Sequence, residues 1–281
     1  MTTVIVSADD YGLSPAVSEG IRSLIAEGRV SATSCMTTFP GWERDGEALR
    51  GMSAELGVHL TLTDHAPLGA MPRLAPGGRL PPLGALARAA SLGRLDLGEV
   101  EAELERQVAR FIEVVGRPPD HLDGHHHVQQ LPGVRDLVVA LAARHGAWVR
   151  TCWERPLTVV RRQESVTKAL ALGAAGAGLR RRLVAAGVAT PAGFAGSYGF
   201  GEERPYGERV RRWLIGAADG MVLMCHPGGV DEVLRGRDGL TEGRSRELAF
   251  FGSEAFLDVL AEAGARVGRA QAGRSLVDQG D

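Results

Sequence analysis

Four of the eight histidines in this chain fall within seven residues, His121-Leu122-Asp123-Gly124-His125-His126-His127. The run is internal, which sets it apart from a terminal affinity tag. Imidazole is the commonest metal-binding side chain and titrates near neutrality. The cluster therefore points to a metal site and to catalysis, against the alternative of a polar loop rich in histidine by chance. Three more places carry chemistry at a comparable position in the hydrophobic pattern. Asp9-Asp10 follows Thr3-Val4-Ile5-Val6-Ser7, His59 sits in Val58-His59-Leu60-Thr61-Leu62, and His226 follows Val222-Leu223-Met224-Cys225. Each lies at or just after the C-terminal end of an expected strand, the edge where parallel α/β proteins gather catalytic groups.

One carboxylate and two imidazoles leave positions open on a divalent ion for water and substrate, which suits a hydrolytic centre better than a closed structural one. Such an ion lowers the pKa of its water and polarises a carbonyl. On extended backbone the adjacent Asp9 and Asp10 point in different directions, so one can bind metal while the other handles protons. As a simple helix-entry pair they would instead stabilise a helix dipole. Tyr11-Gly12 indicates a tight turn straight after them, and Tyr11 is a candidate for substrate or ligand contact. In the histidine run, strand alternation puts Asp123, His125 and His127 on one face and His126 on the other. His125 and His127 are then the inward candidates, and Asp123 can orient a ligand imidazole. Amide hydrolysis also needs a proton donor for the departing amine, a role that suits His226 before the Pro227-Gly228-Gly229 turn. Taken alone, His59 could be a satisfied core histidine and His226 a turn cap.

The elements that must position these residues alternate along the chain. Strands are expected at 3–7, 30–36, 56–62, 118–123, 147–151, 222–225 and 265–268. Helices are expected from Ser14-Pro15 onward and at 43–52, 99–115, 134–145 and 245–263. Strand and helix in alternation argue for parallel pairing with crossover helices, an α/β fold. Residues 64–97, rich in Pro, Gly and Leu, read as a functional loop. The Ala/Gly/Leu-rich segment 166–187 reads as a helical pair or a lid. No internal repeat or linker divides the chain, so residues 1–281 are read as a single domain with inserted loops near 64–97 and 152–205.

Composition narrows the partners. The net charge of −2 gives no reason to expect nucleic acid or a membrane surface. No apolar run approaches a membrane span, and residues 1–9 contain no secretory signal. Cys35, Cys152 and Cys225 are odd in number and widely spaced, which suggests reduced thiols and a cytoplasmic setting. The expected assembly is a homodimer. Trp42, Trp153, Tyr198, Phe200 and Tyr206 are candidates for stacking on a ring, with packing as the commoner role.

Four segments together resemble one family. Ser7-Ala8-Asp9-Asp10-Tyr11-Gly12-Leu13-Ser14, Gly57-Val58-His59-Leu60-Thr61-Leu62-Thr63, His121-Leu122-Asp123-Gly124-His125-His126-His127-Val128 and Cys225-His226-Pro227-Gly228 resemble the YdjC/ChbG-like carbohydrate deacetylases in order and separation. The resemblance implies a (β/α) barrel-like fold related to the glycoside hydrolase/polysaccharide deacetylase barrel. It also implies removal of acetyl groups from acetylglucosamine-type sugars, so the expected partner is a small acetylated sugar. Carried over by motif, Asp10, His59 and His125 are the metal ligands. In the mechanism this suggests, Asp9 deprotonates a metal-bound water and His226 protonates the leaving amine. Family resemblance implies magnesium, whereas two-histidine ligation suits zinc or another transition metal. This chain departs from the family pattern at Asp64-His65, where a glycine is common, and at Gln129-Gln130. Both departures bear on the substrate. A different amide hydrolase, such as one opening cyclic amides, and a sugar-binding protein without turnover are the rival readings.

Overall fold

A computed structural model of the chain describes residues 1–199 and 204–270. Its strands are β1 (Thr2–Tyr11), β2 (Ala32–Cys35), β3 (Glu55–Leu60), β4 (His121–Gly124), β5 (Trp148–Val149), β6 (Phe194–Ala195), β7 (Met221–Cys225) and β8 (Ala265–Val267). They form one sheet in the order β5-β4-β3-β2-β1-β7-β6, with β8 alongside β1, and every pairing is parallel. All C-terminal strand ends therefore lie along one edge. This is the parallel α/β architecture that the alternating pattern called for, in the barrel-like form that the family resemblance implied.

Period-two alternation shows that the sheet is curled. Val4, Val6 and Ala8 of β1 pack with Leu56, Val58, Leu60, Leu122, Val149 and Leu223 in the large cluster that includes the helices. The opposite face carries Ile5, Ala32, Trp148, Phe194, Val222 and Met224, which form a second, smaller cluster. Trp148 and Phe194 come from the two ends of the strand order, β5 and β6, so they can share a cluster only if the sheet bends round. The two end strands do not pair with each other. Instead, the Val149 amide donates to the Ala189 carbonyl at 2.9 Å, and Thr151 and Thr190 hydroxyls lie 3.4 Å apart.

Helices cover the outer face: α1 (Pro15–Ala26), α2 (Trp42–Glu47), α3 (Leu83–Ser91), α4 (Leu97–Val115), α5 (Val134–His145), α6 (Pro156–Arg162), α7 (Val166–Ala185), α8 (Tyr206–Trp213), α9 (Glu232–Arg235), α10 (Glu242–Phe251) and α11 (Glu254–Glu262). Ser14 caps α1 by accepting the Val17 amide, with proline at the first helical position as expected. Several expectations change. Segment 64–97 contains α3 and is tied to α4, whose buried Glu103 accepts the Leu68 and Gly69 amides. Segment 166–187 is one continuous helix up to Ala185 and not a helical pair. The expected helix 245–263 is broken at Gly252-Ser253 into α10 and α11.

The inner layer is tight at the base of the histidine strand. His121 is fully buried and stacks on Trp148, with ring centroids 4.4 Å apart and planes at 16°. Gly57 of β3 lies under that ring, where an added Cβ would come within 2.3 Å of His121 Nε2. Gly57→Ala is expected to destabilise the protein by about 1–3 kcal/mol through overpacking. A lowered urea midpoint with an unchanged slope would show it, and an unchanged midpoint would contradict this account of the inner layer.

Candidate active site

The inner face at the C-terminal strand edge holds the polar residues in one parity. Asp9 follows Ile5 and Ser7 on β1, His59 follows Gly57 on β3, Asp123 follows His121 on β4, and Arg150 follows Trp148 on β5. Asp10, next to Asp9, should by alternation point to the helices. It does not, because its φ of 67° and a register shift between Ala8 and Tyr11 turn it back. Left-handed backbone costs a non-glycine residue about 1–2 kcal/mol. Here it brings both carboxylates toward one imidazole: His59 Nε2 is 3.3 Å from Asp10 Oδ1 and 3.9 Å from Asp9 Oδ2. The expectation that the pair diverges along extended backbone is corrected by this bulge.

Asp10, His59 and His125 offer one donor atom each, all within 4.8 Å of one another. His125 Nδ1 lies 3.1 Å from the same Asp10 oxygen that faces His59. Bonds of about 2.0–2.2 Å to one ion place neighbouring ligand atoms about 3 Å apart, so this donor set fits a divalent cation. Asp123 Oδ1 holds His59 Nδ1 at 2.6 Å, which fixes the ring and leaves Nε2 facing the donor group. Asp9, His59 and Asp123 form a second possible group. Its carboxylates, however, are already engaged by Arg150 and by His59 Nδ1.

Arg150 is fully buried. Its Nη1 and Nη2 donate to the two oxygens of Asp9 at 2.6 and 2.7 Å, and Nη2 also reaches Asp123 Oδ2 at 3.1 Å. The Ser34 hydroxyl adds a bond of 3.2 Å to Asp9 Oδ1. Burial alone would raise the Asp9 carboxyl, but Arg150, His59 and His226 outweigh it and hold it well below the usual carboxylate range. Asp10 is depressed in the same way, with Arg244 and His125 overcoming burial. For His59, burial opposes the charged ring, yet Asp123, Asp9 and Asp10 push it up to about 10. The protein without metal thus balances three carboxylates with two guanidiniums and an imidazolium.

The histidine run behaves differently from a strand. β4 stops at Gly124, and residues 125–130 form a short 3-10 turn in which His126 and His127 have φ of 56° and 59°. His126 therefore does not face away. Its ring lies tilted at 33° against His125 with centroids 4.0 Å apart, and its Nδ1 lies 3.0 Å from the Thr63 hydroxyl and 3.5 Å from Asp64 Oδ2, at the exposed rim. His127 sets its ring against Phe194 at 5.8 Å, and burial together with Arg150 pushes its pKa well down. His65 is buried edge-on against Phe39 at 4.8 Å, with its centroid 5.6 Å from His125, so it backs the site.

His226 follows β7, the strand paired with β1, and its Nε2 lies 4.0 Å from Asp9 Oδ2. Its backbone amide donates to Glu247 at 2.6 Å, and the same carboxylate accepts the Tyr198 and Tyr206 hydroxyls. Tyr11 is a correction. Its side chain turns outward, where the hydroxyl donates to the Asp45 carbonyl at 2.6 Å and accepts from Arg22 at 2.8 Å, so it is spent on joining α1 and α2. Trp42 is core, Trp153 lies under the Arg180 guanidinium, and Tyr198 and Tyr206 are held by Glu247. Phe200 falls outside the described residues. Arg150, Ser34, Arg244 and Glu247 escaped the sequence reading. Arg150 sits at a strand end, the same signal that singled out the histidines, but arginine is not a metal-type residue. Arg244 and Glu247 lie on a helix and have no local signature.

A curled parallel sheet with carboxylates and imidazoles converging at its C-terminal edge defines the class: an α/β half-barrel with its polar site at the strand ends. The YdjC-like protein family model matches residues 3–262, and the chain belongs to that family. A chitooligosaccharide deacetylase of Serratia marcescens is 34% identical over 234 residues, covering 82% of this chain and 83% of that protein. One from Enterobacter sp. (strain 638) is 31% identical over 275 residues, covering 94% and 96%. A solved structure from Enterococcus faecalis V583, provisionally assigned to cellobiose-phosphate cleavage, superposes with a TM-score of 0.72 at 23% identity, covering 95% of this chain and 97% of its own. It shares the fold. The cysteines are all free and buried. Among the described residues no helix is long and apolar enough to cross a membrane.

Arg150→Met is expected to destabilise the protein by about 3–5 kcal/mol, because it leaves Asp9 and Asp123 buried without their counter-charge. Equilibrium denaturation checks this, and adding Asp9→Asn should recover part of the loss. The paired aspartates also set an acid limb. Their folded pKa values lie below the ordinary 3.8, so their contribution is complete above that value and is lost as pH falls through the lower folded ones. Stability measured against pH should keep falling below pH 3.8. A curve already flat there would contradict the pairing.

Proposed function

We propose that this chain is a metal-dependent carbohydrate N-deacetylase acting on acetylated amino sugars of the acetylglucosamine type. The observation that carries the reading is the convergence of Asp10 Oδ1, His59 Nε2 and His125 Nδ1, with Asp9 and His226 beside them and His226 Nε2 4.0 Å from Asp9 Oδ2. The relatives at 31–34% identity carry the name chitooligosaccharide deacetylase, which supports the substrate class.

Asp10, His59 and His125 would hold one divalent ion. When bound, that ion supplies Lewis acidity toward the acetamide carbonyl and makes water acidic enough to serve as a nucleophile near neutral pH. The two nitrogen donors favour zinc or another transition metal over magnesium, which prefers oxygen.

The chain's own residues do the rest. Asp9, held by both arms of Arg150, stays ionised throughout the working pH range and accepts the proton of the attacking water. Its depressed pKa makes it a weak base, so the transfer depends on water that is already acidified. Arg150 also stops the carboxylate from swinging into the donor group. Asp123 keeps the His59 ring aimed. His226, just past the strand beside that of Asp9, donates a proton to the departing amine, and without that step the amine is a poor leaving group. His126 and Asp64, at the exposed rim, are within reach of sugar hydroxyls, and the buried Thr63 hydroxyl holds the His126 ring. The 1–281 chain acts as one domain in this reading, with segments 64–97 and 152–205 shaping the sugar pocket.

Protein loaded with zinc, cobalt or magnesium should release acetate from acetylated chito-oligosaccharides, and chelation should abolish it. A ring-opened product without acetate would indicate a cyclic-amide hydrolase instead, and sugar binding without any product would indicate a binding protein. His226→Ala is expected to lower kcat about 10²–10⁴-fold with little change in metal content. His125→Ala should lose the metal itself; full metal content in that variant would sink the ligand assignment.

A further inference from the structure

Asp10 is held from two sides, one oxygen each. Oδ1 faces His59 Nε2 at 3.3 Å and His125 Nδ1 at 3.1 Å. Oδ2 accepts Arg244 Nη2 at 2.6 Å. Arg244 is 1% exposed. It is fixed by its other contacts: Nη2 also donates to Asp238 Oδ2 at 2.6 Å, and Nε donates to the Leu240 carbonyl at 3.1 Å. The guanidinium thus reaches from α10 to the outer oxygen of Asp10 and is anchored behind by a carboxylate and a main-chain carbonyl.

This division has a consequence for any ion at the site. An unrestrained carboxylate can offer both oxygens to one cation, which fills a position that substrate or water would otherwise use. A charge-assisted bond of this length ties up Oδ2 and sets the plane of the carboxylate. The positive φ of Asp10 aims the side chain, and Arg244 fixes its rotation.

We propose that Arg244 is a positioning residue that commits Asp10 to single-oxygen ligation and thereby keeps a coordination position open for substrate. This rests on the metal-dependent reading above. Arg244 differs from Asp123, the other partner of a ligand. Asp123 is an anion that strengthens its histidine as a donor, whereas Arg244 is a cation that draws charge from the carboxylate. Its removal should therefore tighten metal binding while slowing turnover.

The test uses the full chain with Co²⁺, whose visible ligand-field bands report coordination number. In Arg244→Gln, the bands should shift and weaken as the second Asp10 oxygen enters. Co²⁺ affinity by calorimetry should rise severalfold, and kcat for acetate release should fall about 10–100-fold. General damage to the fold would instead weaken Co²⁺ binding. Asp238→Asn, which loosens Arg244 from its more exposed side, should move the spectrum the same way to a smaller extent. It serves as the test if Arg244→Gln does not fold. Spectra and affinities identical to the unmodified protein overturn the role of Arg244 while leaving the metal site standing. Failure of the unmodified protein to bind Co²⁺ overturns both.

Discussion

The site depends on a buried guanidinium. Arg150 sits just past a two-residue strand with no exposed surface and bridges Asp9 and Asp123. Burying a lone charge costs several kcal/mol, and three carboxylates within one small volume would repel one another or take up protons. Arg150 and Arg244 remove that conflict by giving Asp9 and Asp10 a cation each. The geometry then divides the tasks. Asp9 is locked out of the donor group, Asp10 is turned into it, and Asp123 is left to orient His59. Two adjacent residues of the same type acquire different roles because different arginines hold them.

Sheet parity does the remaining positioning. A parallel strand presents every second residue to the barrel interior, so Asp9, His59, Asp123 and Arg150 arrive on the inner face from four strands without special local structure. Where parity is wrong, the backbone is forced. Asp10, Asp64, His126 and His127 are four of the six non-glycine residues with positive φ among the described residues, and all four surround the site. Strain gathered at one place, held by a rigid sheet, is the pattern expected of a functional centre.

Much of this was legible in the chain. The strand-to-helix alternation, the shared strand edge and the placement of Asp9, Asp10, His59, His125 and His226 follow from hydrophobic periodicity and the position of polar residues after apolar runs. What failed did so for physical reasons. Strand alternation extended past Gly124 assigned the wrong face to His126, because period two has no meaning once the backbone turns left-handed. Tyr11 looked available beside the acidic pair, but the bulge that turns Asp10 inward sends Tyr11 outward. Arg244 could not have been found, since its partner lies 234 residues away and only the folded sheet brings them together. Short elements such as β6 and α9 also escaped, being too brief to show a period.

In the proposed function three particular atoms hold the ion while Asp9 stands outside its shell. Anomalous diffraction from crystals soaked in zinc or cobalt, recorded at the metal edge, tests it directly. One peak is expected within bonding distance of Asp10 Oδ1, His59 Nε2 and His125 Nδ1, with Asp9 still paired to Arg150. A peak bonded to Asp9 and Asp123 instead, or no ordered ion at the strand edge, would contradict it.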